Sequence, residues 1–367
     1  MTRDNKIYVR YGNDGKAGAI ELLRAGGVER EVKAGMSVAL KPNLVVAKPS
    51  SSGATTSSLV LSGVIEFFKE CGVTDITVME GSWVGDSTKR AWKICGYDEI
   101  AKRYGVKLLD LKDDATTKTV VEGFTFDLCN APKRADYLVN MPVLKGHCQT
   151  VMTCALKNLK GCLSDSSKRL FHTSGLHRPI ALLNMALKPH LILADALRGD
   201  LSFEEGGNPV EMNRLILGRD PVMLDSYGTS LMGLSPCEVE HLVLAEKLGV
   251  GSSKIEDGDI IAIGHDESLF KIGSLPREAR RLSAYIDEKS ACSACYASLI
   301  HALFRTDERN LSGLLGAGKI KIGQGWRGVT AEGLGVGDCA SGCARVVPGC
   351  PPNALDISRE LSHAARP

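Results

Sequence analysis

Cysteine is concentrated towards the carboxyl-terminal end of the sequence, where its spacing suits metal binding. Five of the twelve cysteines fall between residues 292 and 350, as Cys292 and Cys295 in a C-x-x-C and then Cys339, Cys343 and Cys350. Thiolates are soft ligands that suit iron and zinc. The uneven spacing of the last three and the G-C-P-P ending favour an iron–sulfur cluster over the two close pairs typical of structural zinc. We therefore predict a 4Fe-4S cluster, with zinc as the alternative.

A cubane cluster has four ligand places, so one of these five cysteines is spare. The predicted ligands are Cys292, Cys295, Cys339 and Cys350, and the spare is Cys343. The Gly-rich loops around them supply backbone freedom and N–H groups for the cluster sulfurs. Free cysteine otherwise behaves as a small buried hydrophobe. Buried free thiols are therefore the alternative interpretation of the five cysteines at 292–350. For Cys148, Cys154 and Cys162, buried free thiols are favoured over a second metal site.

A second candidate for chemistry is a basic segment that is rich in histidine. Residues 141–198 hold eight Lys and Arg against two acids, and four of the eight histidines, in a chain of formal net charge +2. Cations gathered at strand ends favour a small anion such as a carboxylate or a phosphate. A solvated basic face is the alternative. The predicted substrate is a small anionic organic molecule.

Some residues of this segment lie at the ends of predicted strands, and these are the candidates for acting on a substrate. In open α/β sheets, ligands bind beyond the carboxyl ends of the strands. The motif MPVLKGH (141–147) places Lys145 and His147 at such an end, and Asp195 ends the strand HLILAD. We predict that these three are catalytic and that His147 moves a proton near neutral pH. Asn43 ends a further strand at the same rim of the sheet, and Lys157 and Lys160 are three residues apart on one face of a predicted helix. The predicted substrate-binding residues are Asn43, Lys157, Lys160 and His172.

The elements that must position these residues alternate along the first 265 residues. Short apolar runs predict strands at 36–42, 75–80, 106–111, 136–144, 190–197, 214–218 and 259–264. Helical apolar spacing predicts helices at 58–72, 88–104, 149–161, 221–234 and 239–249. Strands separated by helices imply βαβ units and a mainly parallel sheet that is covered on both faces. We predict a doubly wound α/β domain over 1–270 and a small Cys-rich cluster-binding unit over 275–367.

Composition limits the classes of function. A chain with 44% hydrophobic and 24% charged residues has the balance of a globular protein. A net charge of +2 gives no global field for nucleic acid or an anionic membrane. The sequence has no apolar run that could span a membrane and does not begin like a secretory signal, so a cytoplasmic location is expected. A symmetric homodimer is the base-rate expectation for its assembly.

Several motifs taken together resemble one family. They are LKPN (40–43), VLKGH (143–147), LKNLKG (156–161), GRDPVMLD (218–225), CSACYASL (292–299) and GVGDC with GCPP (335–352). This set resembles the proteins grouped as domain of unknown function 362. The resemblance implies a cytoplasmic, prokaryotic-type iron–sulfur protein with a 4Fe-4S cluster, and it leaves the reaction open. Members often carry Thr where Gly146 stands here, and Cys343 is additional to their usual pattern.

The leading functional hypothesis combines the two candidate sites. An iron–sulfur oxidoreductase would act on the small anion held by the lysines, with electrons from a donor protein such as a ferredoxin. One alternative is a lyase or isomerase that uses an iron as a Lewis acid. Another is a non-catalytic electron-transfer protein. No G-x-S-x-G elbow and no dinucleotide fingerprint occur, so serine hydrolysis and a bound nicotinamide or flavin are not expected.

Overall fold

The computed structural model describes residues 5–264, 281–306 and 318–364. The chain divides into two compact units. The first comprises residues 1–146, 150–168 and 177–273, and the second comprises 147–149, 169–176 and 274–367. The predicted boundary at 270–275 lies outside the described residues. Two short segments that precede residue 177 therefore belong to the second unit.

The first unit is built on a sheet of eight strands that confirms the predicted doubly wound, mainly parallel α/β class. The strands of this part of the chain are β1 Ile7–Tyr11, β2 Ser37–Pro42, β3 Asp75–Glu80, β4 Lys107–Asp110, β5 Thr116–Val121, β6 Phe124–Cys129, β7 Tyr137–Met141, β8 Lys145–His147, β9 Val151–Thr153, β10 Leu191–Asp200, β11 Pro209–Gly218 and β12 Ile260–Ile263. The order in the main sheet is β12-β1-β11-β10-β7-β2-β3-β4. Strand β11 runs antiparallel to β1 and β10, and the other neighbours pair in parallel.

Ten helices follow the strands in the described residues up to 264. They are α1 Gly15–Ala25, α2 Ser58–Glu70, α3 Thr88–Ile94, α4 Tyr97–Tyr104, α5 Ala131–Arg134, α6 Ala155–Asn158, α7 Asp165–Thr173, α8 His177–Ala186, α9 Pro221–Leu231 and α10 Glu240–Lys247. Side-chain caps fix where the long helices begin, since Asp14, Ser57 and Asp220 each accept backbone N–H groups of the first turn. Valine, leucine and isoleucine from α1, α2 and the central strands form the core of this unit.

Two predicted helices differ from the structure. The segment 88–104 is two helices, because Gly96 adopts a left-handed conformation with φ 74° between them. The predicted helix at 149–161 was wrong in its first part, where β9 lies. Helix α6 begins only at Ala155, because the buried Asp225 carboxylate accepts the N–H groups of Ala155 and Leu156 at 2.7 and 3.0 Å.

The strand order creates a switch point in the first unit. The chain places β3 and β4 outward on one side of β2, and it places β7 and β10 on the other side. The carboxyl ends of β2 and β7, which are neighbours, therefore flank the position where the direction of winding reverses. In doubly wound sheets this crevice is the usual ligand site.

The second unit contains a four-stranded sheet in which all neighbouring strands are parallel. Its elements are β13 Ile286–Glu288, β14 Ile320–Ile322, β15 Ala331–Val336 and β16 Cys343–Val347, with helices α11 Ser293–Phe304 and α12 Ala354–Ala364. One small apolar cluster of this unit centres on Trp326, Ala340 and Cys343. Over the whole described part of the chain, no helix is both long and apolar enough to cross a membrane.

Candidate functional site

Buried polar side chains meet at the switch point of the first unit. Lys41 near the end of β2 donates to Glu80 at the end of β3 over 2.8 Å, and both side chains are at most 3% exposed. Lys41 Nζ also donates to Asn158 Oδ1 at 3.1 Å. We call Lys41, Asn43, Glu80, Asn140 and Asn158 the switch-point network. A buried ion pair is stable only when further hydrogen bonds satisfy both ions, and this network supplies them.

Amide side chains extend the network across the sheet. Asn158 Nδ2 donates to Asn140 Oδ1 at 2.7 Å, and Asn43 Nδ2 donates to Asn158 Oδ1 at 2.9 Å. Asn43 Oδ1 in turn accepts Lys145 Nζ at 3.1 Å. The predicted residues Asn43 and Lys145 are therefore in direct contact, and α6 reaches the strand ends through Asn158.

Gly161 lets the backbone after α6 approach the ion pair closely. A Cβ at this position would lie 2.0 Å from Glu80 Oε1 and 2.8 Å from Lys41 Nζ. Any side chain there would have to displace a buried charge. The glycine of LKNLKG is therefore a packing requirement of the switch-point network.

A second group of charged residues adjoins Asn43. Lys145 is fully buried and donates to Asn43 Oδ1, to the Ala54 carbonyl and, at 2.9 Å, to the Glu204 carbonyl. Lys157, 4% exposed, forms a short contact with the Glu204 carboxylate. We call Lys145, Lys157, Glu204 and Glu205 the lysine–glutamate cluster. It brings together two predicted residues, Lys145 and Lys157, with two acids that the sequence did not single out.

Burial shifts the pKa values of this cluster towards neutrality. Desolvation lowers the pKa of Lys145 to about 8, although the Glu204 charge opposes the shift. Desolvation raises the pKa of Glu205 to about 7, and the neighbouring Glu204 carboxylate adds to the rise. Glu205 Oε2 is buried and has no hydrogen-bond partner among the described residues. An acid and an amine that both titrate near neutral pH are typical of proton-transfer sites.

Replacing Glu205 with Gln should stabilise the protein in a pH-dependent way. The folded carboxyl stays protonated up to about pH 7, whereas its ordinary pKa is 4.5. The wild type therefore loses stability relative to Glu205→Gln as the pH rises from 4.5 to 7. We expect a gain in the free energy of unfolding of about 1–3 kcal/mol at pH 8 and almost none at pH 4. Urea unfolding at both pH values measures the gain, and a gain independent of pH would contradict a buried, unpartnered carboxylate.

Asp195, which the sequence predicts to be catalytic, forms hydrogen bonds that connect two elements of the fold. Its carboxylate, 2% exposed, accepts the N–H groups of Ser57 at 2.8 Å and Leu197 at 3.0 Å. Burial raises its pKa to about 6. The contacts join β10 to the start of α2, and they use both carboxylate oxygens. Its catalytic role stays a prediction.

The other predicted residues of the basic segment do not lie in the lysine–glutamate cluster. Lys160 lies half-buried in the short 3₁₀ helix Leu159–Cys162. His147 and His172 belong to the second unit. There, His147 Nδ1 accepts the Gln149 N–H at 3.0 Å, which assigns the ring proton of the neutral form to Nε2. Gln149 Nε2 donates to the Ala291 carbonyl, directly before Cys292.

The backbone of another segment of the first unit approaches Gly146 so closely that a side chain at this position would clash. A Cβ there would lie 2.0 Å from the Leu201 carbonyl oxygen, and a Cβ at Gly199 would lie 2.0 Å from that of Leu144. These two segments therefore pass each other with no room for a side chain. A threonine at position 146, which the family resemblance leads one to expect, requires the backbone at 199–202 to shift.

The second unit gathers four of its six cysteines at one edge of its sheet. Cys292 follows β13, Cys339 follows β15, and Cys350 follows β16. Cys295 lies in the first turn of α11, next to Cys292 at the N-cap. The carboxyl ends of parallel strands meet at one edge, so these four thiols share it. Cys343 is the first residue of β16, at the opposite edge, and packs with Trp326 and Ala340.

Electrostatic coupling and polar contacts agree with this grouping. Burial raises the pKa of Cys295, and the charges of Cys292, Cys350 and Cys339 raise it further. Arg327 Nε donates to Cys339 Sγ at 3.3 Å, and Gln324 Nε2 approaches Cys292 Sγ at 3.7 Å. Both donors follow β14 and reach the same edge. Hydrogen bonds to ligating sulfurs are a usual feature of iron–sulfur sites.

The chemistry of this donor set fits an iron–sulfur cluster. Each thiolate of a cubane binds a different iron, so the sulfurs need not converge on one point as zinc ligands do. In the described ranges, no three His, Cys, Asp or Glu side chains form a group that could hold a single metal ion. Cys292, Cys295, Cys339 and Cys350 are the thiols that the structure brings to one edge, and their role as ligands stays a prediction.

Comparison with known families concerns mainly the first unit. The profile described as domain of unknown function (DUF362) matches residues 38–230, more than half of the chain. The chain belongs to this family. The DUF362 match contains every residue of the switch-point network and of the lysine–glutamate cluster. The five cysteines between residues 292 and 350 lie outside it, so the match itself says nothing about a cluster.

Two known proteins show more distant similarity to this DUF362 chain. The thylakoid-associated protein sll1697 from Synechocystis is 25% identical over 245 residues, which cover 63% of this chain and 74% of that protein. The lactate racemase apoprotein from Thermoanaerobacterium thermosaccharolyticum is 15% identical with a TM-score of 0.38. That match covers 66% of this chain and 56% of the racemase chain.

Proposed function

We propose that this protein is an iron–sulfur oxidoreductase that acts on a small anionic organic molecule. The observation that carries the proposal is the gathering of Cys292, Cys295, Cys339 and Cys350 at one sheet edge, with Arg327 and Gln324 directed at two of the sulfurs. Cys343, the spare in the prediction, begins β16 at the other edge. This arrangement supports four thiolate ligands and a closed cluster, which would supply one-electron chemistry when bound.

The first unit would bind the substrate at the lysine–glutamate cluster. Lys157 is paired with the Glu204 carboxylate in the structure. An anionic substrate would take the place of that carboxylate against Lys157, which keeps the buried ammonium paired. Glu204 lies in a turn that contains two glycines with positive φ, Gly206 and Gly207. We propose that this turn moves when the substrate enters.

Proton transfer would involve Lys145 and Glu205. Their pKa values of about 8 and about 7 let each group exist in either protonation state near neutral pH. Lys145 is held by three oxygen acceptors, so its position is fixed. Glu205 Oε2 is buried and unpartnered among the described residues, which leaves it available for a substrate proton. An electron-donor protein such as a ferredoxin is the proposed partner.

The proposal is tested by anaerobic reconstitution followed by substrate screening. We expect a dithionite-reducible EPR signal, and reoxidation of the reduced protein by one or more small carboxylates in a panel. The variant Lys157→Gln combined with Glu204→Gln keeps the buried pair hydrogen-bonded without charge, and it should lose reoxidation at least about tenfold. The matched control is Lys118→Gln, an exposed lysine on β5. Reconstituted protein without a reducible signal would end the oxidoreductase proposal.

A cluster-dependent lyase or isomerase is the second candidate. It is favoured by the presence of two groups, Lys145 and Glu205, that titrate near neutral pH in one buried cluster. Such a reaction needs no external reductant. Turnover that proceeds equally well with oxidised cluster and without any electron donor would identify this class instead.

A further inference from the structure

An exposed arginine of the second unit contacts one of the predicted ligand sulfurs. Arg327 Nε donates to Cys339 Sγ at 3.3 Å. This hydrogen bond raises the pKa of Arg327, and the negative charges of Cys350 and Cys292 add to the rise. The guanidinium therefore lies within electrostatic reach of three of the four predicted ligands. A charge-assisted hydrogen bond of this kind is about twice as strong as a neutral one.

The local fold fixes the backbone from which Arg327 extends. Arg327 directly follows the 3₁₀ helix Gln324–Trp326, and its N–H donates to the carbonyl of the first residue of that helix at 3.2 Å. Trp326 is 5% exposed, and its Nε1 donates to the Asp287 carbonyl in β13 at 3.1 Å. The Lys289 ammonium lies 3.6 Å from the centre of the Trp326 ring. Trp326 thus anchors this turn to β13, directly before Arg327.

Other polar groups near the cysteines have different contacts. Gln324 Nε2 lies 3.7 Å from Cys292 Sγ, but it is a neutral donor. Asp338 lies directly before Cys339, and its carboxylate accepts a backbone N–H of the turn after β16 at 2.7 Å. Arg327 therefore combines a full positive charge with a direct contact to a sulfur, which neither of these two groups does.

A positive charge beside a ligating sulfur favours the reduced form of a cluster. Reduction adds one electron, so the negative charge of the centre grows, and its attraction to a nearby cation grows with it. Net charge and hydrogen bonds to the sulfurs are among the factors that set the reduction potentials of iron–sulfur clusters. Arginine is not deprotonated in proteins, so Arg327 contributes a constant charge rather than a pH-dependent one.

We propose that Arg327 raises the reduction potential of the predicted cluster through its hydrogen bond to Cys339. Arg327 has this role only if the cluster forms, so the inference rests on the proposed function. The guanidinium acts through the sulfur, and Arg327 is not a catalytic residue. A raised potential makes the cluster easier for a donor protein to reduce, which an enzyme that receives electrons from such a donor requires.

A spectroelectrochemical titration of the anaerobically reconstituted full chain tests the proposal. We expect Arg327→Gln to make reduction about tenfold less favourable, which for a one-electron couple lowers the midpoint potential by about 59 mV. Arg327→Lys keeps the charge without the Nε donor, and it should lower the potential by less. Arg345→Gln is the matched control, because Arg345 is an exposed arginine on β16 that pairs with Glu360 at 3.2 Å. It should leave the potential unchanged.

Iron and sulfide content should be the same in the wild type and the three variants, which separates the potential from cluster assembly. Arg327→Gln with a full cluster and the wild-type potential would overturn the inference and leave the iron–sulfur proposal intact. Equal shifts in Arg327→Gln and Arg345→Gln would also overturn it, since any lost surface cation would then have the same effect. Should Arg327→Gln hold no cluster, Arg327→Lys decides, and the wild-type potential in that variant would refute the role. Wild-type protein without a reducible signal would end both proposals.

Discussion

Serine in place of Cys295 is expected to remove most of the iron and sulfide from the anaerobically purified protein, and serine in place of Cys343 is expected to remove neither. Cys295 shares its edge of the sheet with the three other thiols, whose charges raise its pKa. Cys343 starts β16 at the other edge and packs with Trp326 and Ala340. Loss of one thiolate from a four-ligand set weakens or destroys the cluster, whereas a serine at Cys343 only alters local packing.

Iron and sulfide analysis, with the dithionite-bleached visible absorption, measures the effect in each variant. The matched pair Cys295→Ser and Cys343→Ser separates the predicted ligands from the spare. Retention of the full cluster in Cys295→Ser would refute the four-cysteine set and point to three ligands, as the Lewis-acid alternative needs. Colourless wild-type protein that contains stoichiometric zinc would replace the cluster by a zinc site and remove the basis of the redox proposal.

Replacing Lys41 with Met is expected to lower the free energy of unfolding by about 3–5 kcal/mol, the range for breaking a buried ion pair. Glu80 would lose its counter-ion at a position that is nearly inaccessible to water, since its side chain is 3% exposed. Its Oε2 would keep the Leu44 N–H and lose the ammonium. Lys41 also donates to Asn158, so the network would lose a second contact. Urea unfolding followed by circular dichroism measures the change.

Two further variants test whether the loss of stability in Lys41→Met comes from the buried ion pair. Lys107→Met breaks the exposed pair of Lys107 and Asp75 and should cost at most about 1 kcal/mol. The double variant Lys41→Met with Glu80→Gln removes both charges, and it should be more stable than Lys41→Met alone. Equal effects of Lys41→Met and Lys107→Met would mean that water reaches the switch-point pair and that the network is not a closed one.

Strand ends were the most informative feature of the sequence. The runs predicted at 36–42, 75–80 and 190–197 correspond to β2, β3 and β10, because buried parallel strands are continuous apolar segments. Asn43 directly follows β2, Lys145 follows the strand predicted at 136–144, and the structure brings the two side chains into contact. Strand β1 was not predicted, because its sequence, IYVRY, is short and carries a charge.

The acids of the lysine–glutamate cluster could not be recognised from sequence. Glu204 and Glu205 follow β10 in the polar segment SFEEGG, which reads as an ordinary exposed turn. Only the fold pairs Glu204 with Lys157 and brings the half-buried Glu205 within electrostatic reach of both lysines. The position directly beyond the carboxyl end of a strand was the one signal available. The sequence predicts Cys343 as the spare cysteine, and strand direction adds a physical reason, because it separates Cys343 from the four predicted ligands.

If the four grouped cysteines hold a metal centre, they also affect how long the protein survives in a cell. Three of them lie in the turns after β13, β15 and β16, and each turn joins a strand to a different part of the second unit. A metal centre there would cross-link these three turns and so stabilise the second unit. When iron is scarce, newly made chains would lack that tie, and proteases would reach the second unit first. Iron supply would then influence how much folded protein accumulates.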